Sequence, residues 1–300
     1  MDNLEVIERL KNELPPTIAV IGYGSGIYKQ TGYSSDEKPD KDVIVVTDDF
    51  KDFLISDHNQ NSHHFSDDFD KRILLKKKEK DKFYSNVGCL KFYQDGIHFK
   101  AMVISKKALE EDLKTWKYFG MAGRLTKPIL YQSIPEDLET KIKQNRRNIL
   151  ITALLLNQKD VLTQSELYNT ISKLTYMYDF RTILPGEKKS KSSDIVNGSF
   201  DFFEQTYGKN DIAPVENCMV MNPHPIELID ELPDNLKDYL NKHFSKNDYS
   251  LDEVSKVINN YFRKTNLPNS IRLALSSGTT LGKKETIKHG LSKVKKHFQK

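Results

Sequence analysis

Apolar positions first recur at helical spacing, where Leu4, Ile7, Leu10 and Leu14 line one face before Pro15 and Pro16 end the run. The period then changes. Thr17 to Gly22 is a short, β-branched apolar run that reads as a buried strand, and Gly24-Ser25-Gly26 follows it as a turn. A second strand reads over Asp42 to Val46, then a helix from Asp48 to about His58, then loop to Asp70. Val87 to Tyr93 and Ile97 to Ile104 are β-rich, and the Asp95-Gly96 between them signals a hairpin. Ser105 is placed to cap a helix running to Trp116, and Gly120 to Pro128 reads as loop.

From Pro135 onward the pattern is helical. Leu138 to Asn157 is one helix, and Thr163 to Leu174 is another, opened by a Thr163-x-x-Glu166 capping box that Ser250-x-x-Glu253 repeats. Residues 195–207, 233–244 and 250–264 are the other helix candidates. The expectation is a mixed α/β sheet domain over residues 1–134, an α-rich second domain over 135–280, and a separate tail over 281–300.

Composition narrows the classes. With 300 residues, 37% hydrophobic and 29% charged, the chain can bury two cores and is not a disordered polymer. Its densest apolar stretch, Ile149 to Leu156, is too short to span a bilayer. Cys89 and Cys218 are the only cysteines, which excludes a disulfide framework or a cysteine-rich zinc site. The opening MDNLEVIERL is acidic and lacks a long apolar core, so the expectation is a cytoplasmic, bacterial-type protein without a signal or transit peptide.

The formal charge of +4 is unevenly spread: residues 281–300 hold seven lysines against Glu285, leaving the body slightly acidic. Ile287, Leu291, Val294 and Phe298 fall on one helical stripe among those lysines. This pattern suits a basic amphipathic helix lying on an anionic membrane, peripherally on the inner face of the cell membrane; a core-docking last helix is the competing reading. The charge run from Leu74 to Phe83 reads as a solvated helix face.

Candidate chemistry gathers near the first turn. A Gly-Ser-Gly turn after a strand leaves backbone N–H groups free to cradle phosphate oxygens. Asp40 and Asp42 fall on one face if the second strand extends that far, and two carboxylates beside a phosphate cradle suggest Mg²⁺. His58, His63 and His64 lack cysteine partners and a regular ligand spacing, so a zinc site is not supported. Arg124 and Lys127 place two cations in a glycine-containing loop, where a guanidinium is suited to bidentate phosphate contact.

A Gly-Ser turn followed by strand-borne aspartates is similar to the nucleotidyltransferase pattern. Taken in order, YGSGIYKQTGYSSDEK, DVIVVTDD, NSHHFS, AGRLTKP and YDFRTILPGEKKSK resemble the mitochondrial-type phosphatidate cytidylyltransferases, also called translocator assembly and maintenance proteins. The resemblance runs from about Ile18 to about Val196, with a weaker echo from Ser270 to Ser277. It implies a nucleotidyltransferase-like α/β domain, a winged-helix-like second domain, and transfer of CMP from CTP to phosphatidate, giving CDP-diacylglycerol and pyrophosphate.

Residue by residue, the resemblance implies that Gly24, Ser25 and Gly26 hold the triphosphate and that Asp42 ligates the metal. Asp40 stands as the first of an acidic pair, although the family tends to carry apolar residues there. Lys100 would neutralise triphosphate charge, Arg124 and Lys127 would bind nucleotide phosphate, and Asn61 and His64 are further contact candidates. Arg181, Lys189 and Lys191 would meet the acceptor's phosphate. Asp48 and Asp49 match the family too, but a helix-start pair explains them equally. Two rivals stay open: a nucleotidyltransferase acting on RNA or protein, whose basic tail binds polyanions, and an inactive nucleotide-binding module.

Overall fold

The computed structural model describes residues 2–28, 31, 39–65, 81–183, 190–213, 215–216, 219–221, 225–244 and 250–281. The first helix, α1 (Asn3–Glu13), opens with a reciprocal capping box between Asp2 and Glu5 and buries Val6, Ile7 and Leu10. Strands β1 (Ala19–Tyr23) and β2 (Lys41–Thr47) follow, then α2 (Phe50–Gln60). Asp49 is the N-cap of α2, its carboxylate accepting from the Lys51 and Asp52 amides at 2.7 and 3.0 Å.

Strands β3 (Val87–Gln94) and β4 (Ile97–Ser105) form the expected hairpin. Its two turn residues, Asp95 and Gly96, both have positive φ, as a two-residue turn compatible with strand twist requires. With β5 (Ile129–Leu130) the sheet has the order β3-β4-β2-β1-β5. The β2–β4 pair is parallel and the other pairs are antiparallel.

Both sheet faces are covered, which is why the strands read as apolar runs rather than alternating ones. On one face Val43, Val45, Leu90, Phe92 and Phe99 join the apolar sides of α1 and α2. On the other, Ile21, Ile44, Val46, Cys89 and Met102 belong to a buried cluster that continues into the helices beyond Pro135.

Helix α3 (Lys106–Thr115) is capped by Ser105 and ends at Trp116 in the left-handed conformation. Where the sequence reads as loop, the chain instead forms a short helix, α4 (Met121–Arg124). The cause is tertiary: the buried Asp112 carboxylate on α3 accepts from the Met121 and Ala122 amides at 2.7 and 3.0 Å, capping α4 from outside its own segment. The long helix α5 (Glu136–Asn157) completes the clamp, with Asn145 accepting from the Trp116 indole at 2.7 Å and donating to the Ala122 carbonyl at 3.0 Å.

The remainder is mostly helical but includes a small sheet that the periodicity does not reveal. Strand β6 (Val161–Thr163) precedes α6 (Gln164–Leu174), whose Thr163–Glu166 capping box is present. Then come α7 (Phe180–Ile183), α8 (Lys191–Gly198) and α9 (Phe200–Phe203), the last running into a π-helical turn over Glu204–Gly208. The helix expected over 195–207 is therefore broken at Ser199. Strands β7 (Val215–Glu216) and β8 (Met219–Met221) pair with β6 in the order β6-β8-β7, each too short to register as a strand pattern.

Helices α10 (Asp234–His243) and α11 (Leu251–Leu281) end the described chain. The last helix was expected to stop near residue 264, yet it continues through Pro268. Proline removes one helical hydrogen bond, but contacts to the sheet domain hold the far half in place. Asn269 accepts from the Tyr84 hydroxyl at 2.7 Å, and the Ser276 hydroxyl donates toward the Tyr84 and Val87 carbonyls at 3.0 and 3.2 Å. No helix among the described residues is long and apolar enough to cross a membrane. The tail beyond Leu281, the charge run up to Lys80, and Cys218 lie outside the described residues.

Burial pushes the Asp112 carboxyl above its ordinary value of 3.8, against the amides of Ala122, Met121 and Phe119. The folded protein therefore keeps this proton to higher pH than the unfolded chain, so stability falls as pH rises from the ordinary value through the raised one, then levels off. Asp112→Asn keeps an acceptor oxygen and should flatten that slope. Urea unfolding across the acid range checks this, and an unaltered slope in the variant would count against it.

Candidate active site

The site is built by register. Tyr23 on β1 stands opposite Asp42 on β2, Asp42 beside Lys100 on β4, and Lys100 opposite Lys91 on β3. Residues in register on adjacent strands share a face, so these four side chains form one row across the sheet. Beneath them on the same face are Ile21, Ile44, Met102 and Cys89, all buried. The row is thus the polar margin of an apolar face.

Lys100 Nζ lies 3.8 Å from Asp42 Oδ1, and the two side chains are 27% and 25% exposed, so the pair is reachable from solvent. Two neighbouring groups, the half-buried Tyr23 and the buried Cys89, register the surrounding charges. The Tyr23 phenol is pushed up first by burial and then by Asp42, with Arg124 and Lys100 opposing. Burial likewise pushes the Cys89 thiol up, against Lys100, Lys91 and Arg124. Arg124 ends α4, whose Met121 and Ala122 belong to the same buried cluster as Ile21, Ile44 and Cys89, and its Nη1 donates to the Gly120 carbonyl.

The glycine turn leaves β1 directly beside Asp42. Gly24 has φ +75°, and a Cβ there would sit 3.0 Å from Asp42 Oδ2. A Cβ on Gly26 would lie 2.2 Å from the Asp40 carbonyl oxygen, so the chain entering β2 passes against the turn with no room for a side chain. The turn closes through the Ile27 and Tyr28 amides donating to the Gly24 carbonyl at 3.1 and 2.9 Å. Lys41 Nζ donates to the Gly26 carbonyl at 2.5 Å and to Asn3 Oδ1 at 2.6 Å, while Asn3 donates to the Ile27 carbonyl at 2.6 Å. Ser25 is half-buried at the head of this fastened turn.

Several expected site residues fall elsewhere. Asp40 is exposed and lies just outside β2, which begins at Lys41. Asn61 and His64 both engage the buried Asp57, at 2.9 Å each, and the His64 ring stacks on Phe92 at 3.9 Å. Phe92 belongs to the opposite face of the sheet, so Asn61 and His64 fasten the far core and do not approach Asp42. Lys127 Nζ is held by Thr175 Oγ1 at 3.0 Å and the Tyr176 hydroxyl at 3.2 Å, over the Tyr176 ring.

Lys191 opens α8, one turn before Asp194, whose carbonyl accepts from the Thr31 amide at 3.2 Å. Thr31 thus touches the helix that carries Lys191. Arg181 lies on α7, and Lys189 falls outside the described residues. Arg146 and Arg147 line a separate cleft of about 370 Å³ between α5 and the π-helical turn. Arg147 there is bonded to Glu231 and Asp211 at 2.5 and 2.6 Å, in keeping with a structural role.

Tyr23 and Lys91 are the members of the row that the sequence reading passed over. A signal existed for Lys91: a two-residue turn at Asp95-Gly96 pairs Gln94 with Ile97, and counting back pairs Lys91 with Lys100.

The chain matches the model of the family described as "Phosphatidate cytidylyltransferase, mitochondrial" over residues 5–296. It belongs to that family. The protein of that name from Bos taurus is 32% identical over 62% of this chain and 56% of its own length. The one from Schizosaccharomyces pombe is 29% identical over 64% of this chain and 49% of its own length. The chain spans about half the length of these curated relatives. A nucleotidyltransferase-like protein from Exiguobacterium sibiricum 255-15 aligns at a TM-score of 0.27 and 13% identity, over 91% of this chain and 75% of that one.

The relatives are named as mitochondrial, which overturns the expectation of a cytoplasmic protein on the inner face of a cell membrane. That expectation rests on the composition of the first residues alone, whereas the family match runs over residues 5–296.

Two glycine substitutions test the turn. Gly26→Ala should lower stability by about 2 kcal/mol or more, because backbone must shift, and Gly24→Ala by about 1–2 kcal/mol, because a Cβ is strained at positive φ. Chemical denaturation measures both, and a Gly26→Ala variant as stable as the parent would contradict this geometry.

Proposed function

We propose that this chain transfers CMP from CTP to phosphatidate, giving CDP-diacylglycerol and pyrophosphate. The observation that carries the reading is the Asp42–Lys100 pair beside the fastened Gly24–Gly26 turn, in a chain of this family. The turn's backbone N–H groups and the Ser25 hydroxyl hold the β- and γ-phosphates, leaving the α-phosphate over Asp42. Lys100 and Arg124 offset the charge of the phosphates as the transferring bond breaks.

Asp42 fits a divalent metal. Its carboxylate is partly exposed and lies against a glycine, and Mg²⁺ commonly takes only one or two carboxylates together with substrate phosphates. Among the described residues no cluster of three or more His, Cys, Asp or Glu side chains is placed to hold a metal, so Asp42 would be the protein's share. When bound, Mg²⁺ would supply Lewis-acid polarisation of the α-phosphate. Lys127, held by Thr175 and Tyr176, supports the loop that presents Arg124.

In this reading residues 1–134 carry the nucleotide, and residues 135–280 bring the acceptor through Arg181, Lys189 and Lys191. Residues 281–300 lie on an anionic membrane surface through their lysines, each contributing on the order of 1 kcal/mol.

Pyrophosphate release from each of four nucleoside triphosphates, with Mg²⁺ and phosphatidate vesicles, tests the function: CTP alone should support it. Asp42→Asn should reduce release about a hundredfold or more with folding intact. Turnover within tenfold of the parent sinks the role of Asp42, and release with RNA in place of phosphatidate favours the rival substrate. Deleting residues 282–300 should abolish salt-sensitive sedimentation with phosphatidate vesicles while CTP affinity is unchanged. Undiminished sedimentation would place the membrane contact elsewhere.

A further inference from the structure

We infer that Asn3 and Lys41 are positioning residues for the triphosphate: they aim the Ser25 amide at a phosphate oxygen, which makes the first turn of α1 part of the nucleotide site. The inference rests on the function proposed above. Lys41 Nζ donates to the Gly26 carbonyl at 2.5 Å and to Asn3 Oδ1 at 2.6 Å, and the Asn3 side-chain amide donates to the Ile27 carbonyl at 2.6 Å. Two consecutive carbonyls at the exit of the glycine turn are thus held by one network, whose side chains come from α1 and from the first residue of β2.

The consequence for the turn follows from peptide geometry. A trans peptide unit is planar, so its carbonyl and its amide point in opposite directions. Holding the Gly26 carbonyl therefore sets the direction of the Ile27 amide, and holding the Ile27 carbonyl sets that of the Tyr28 amide. Both amides converge on the Gly24 carbonyl, at 3.1 and 2.9 Å. That carbonyl shares a peptide unit with the Ser25 amide. Drawn inward by two donors, it turns the Ser25 amide outward, where no carbonyl among the described residues accepts from it. Gly24 permits the rotation, since φ +75° is open to glycine at little cost. An outward amide in a turn beside Asp42 is the kind of donor a phosphate oxygen takes up.

Helix α1 is fixed closely enough to serve as the anchor. Asp2 and Glu5 close a capping box around its first turn, which sets the backbone of Asn3. Asn3 and Ile7 lie four residues apart on one helical face, and Ile7 packs on β1 so tightly that a Cβ on Gly22 would lie 2.5 Å from its Cδ1. Ile27, whose carbonyl Asn3 holds, meets the same point: its Cδ1 and Cγ1 would each lie 3.1 Å from that Cβ. Apolar contact thus sets the distance between helix and turn, and the Asn3–Lys41 network sets the orientation of the turn's peptide units.

CTP affinity of the full chain, measured by titration calorimetry with Mg²⁺ and no acceptor, tests this. Lys41→Met removes the ammonium and keeps its stem, Asn3→Ala releases both Lys41 and Ile27, and each should weaken CTP binding about tenfold. Because both residues act through one network, the double variant should stay within about twofold of Lys41→Met alone. In pyrophosphate release the loss should appear in KM for CTP more than in kcat. Fully additive losses would put the Lys41 ammonium on the phosphate itself and overturn the inference, and parental CTP affinity in both single variants would reduce the network to a structural fastening and overturn it too. If Lys41→Met does not fold, Asn3→Asp decides, since it keeps an acceptor for Lys41 and loses the donor to Ile27: a loss of about fivefold supports the inference, and parental affinity overturns it. A parent that binds no CTP overturns the proposed function and the inference with it, whereas a parent that binds CTP beside unaltered variants overturns the inference alone.

Discussion

Three strand pairings have to agree in register before this protein has a site. Asp42 is the shared member: it faces Tyr23 across an antiparallel pair and Lys100 across a parallel one, and Lys100 in turn faces Lys91. A slip of one residue in any pairing would send that strand's polar side chain to the opposite face, into the apolar layer under α1 and α2. The register is held because both faces are buried. Val43 and Val45 belong to one core and Ile44 and Val46 to the other, so each of the four residues that follow Asp42 opposes a slip.

The glycine turn depends on the same strand. Gly26 admits the Asp40 carbonyl where any side chain would collide, and Lys41, the first residue of β2, reaches back to hold the Gly26 carbonyl. Burial lowers the pKa of that lysine, as expected for an ammonium spent on carbonyl and amide oxygens rather than on a carboxylate. The turn and the metal-binding candidate are therefore one mechanical unit. Arg124 is positioned by other means. Arg124 sits on a four-residue helix that would be marginal alone, yet Asp112 caps its start, Asn145 and Arg146 hold the Ala122 and Leu125 carbonyls, and Tyr207 holds that of Thr126. The helical part of the chain thus fixes the backbone that carries Arg124.

Hairpin, caps and the glycine turn with its following aspartate were legible in the sequence because each is a short-range pattern: Asp95-Gly96, Ser105, Thr163-x-x-Glu166 and Gly24-Ser25-Gly26 act within a few residues of themselves. Family likeness marks which residues recur but not which face they occupy. Asn61 and His64 recur in matching text and serve the buried Asp57 on the far side of the sheet, and Lys127 recurs and is taken up by Thr175 and Tyr176.

The sequence by itself determined the strand and helix periods, the hairpin register that sets Lys91 against Lys100, and the family, because these depend on neighbours in the chain or on ordered motifs. Only the tertiary structure decided that Asp42 and Lys100 meet, since parallel pairing joins strands separated by a crossover and no local pattern records its register. The same holds for the short helix under Asp112 and for the passage of α11 through Pro268. Each is held by hydrogen bonds from outside its own segment, the second by Tyr84 and Val87 more than 180 residues away.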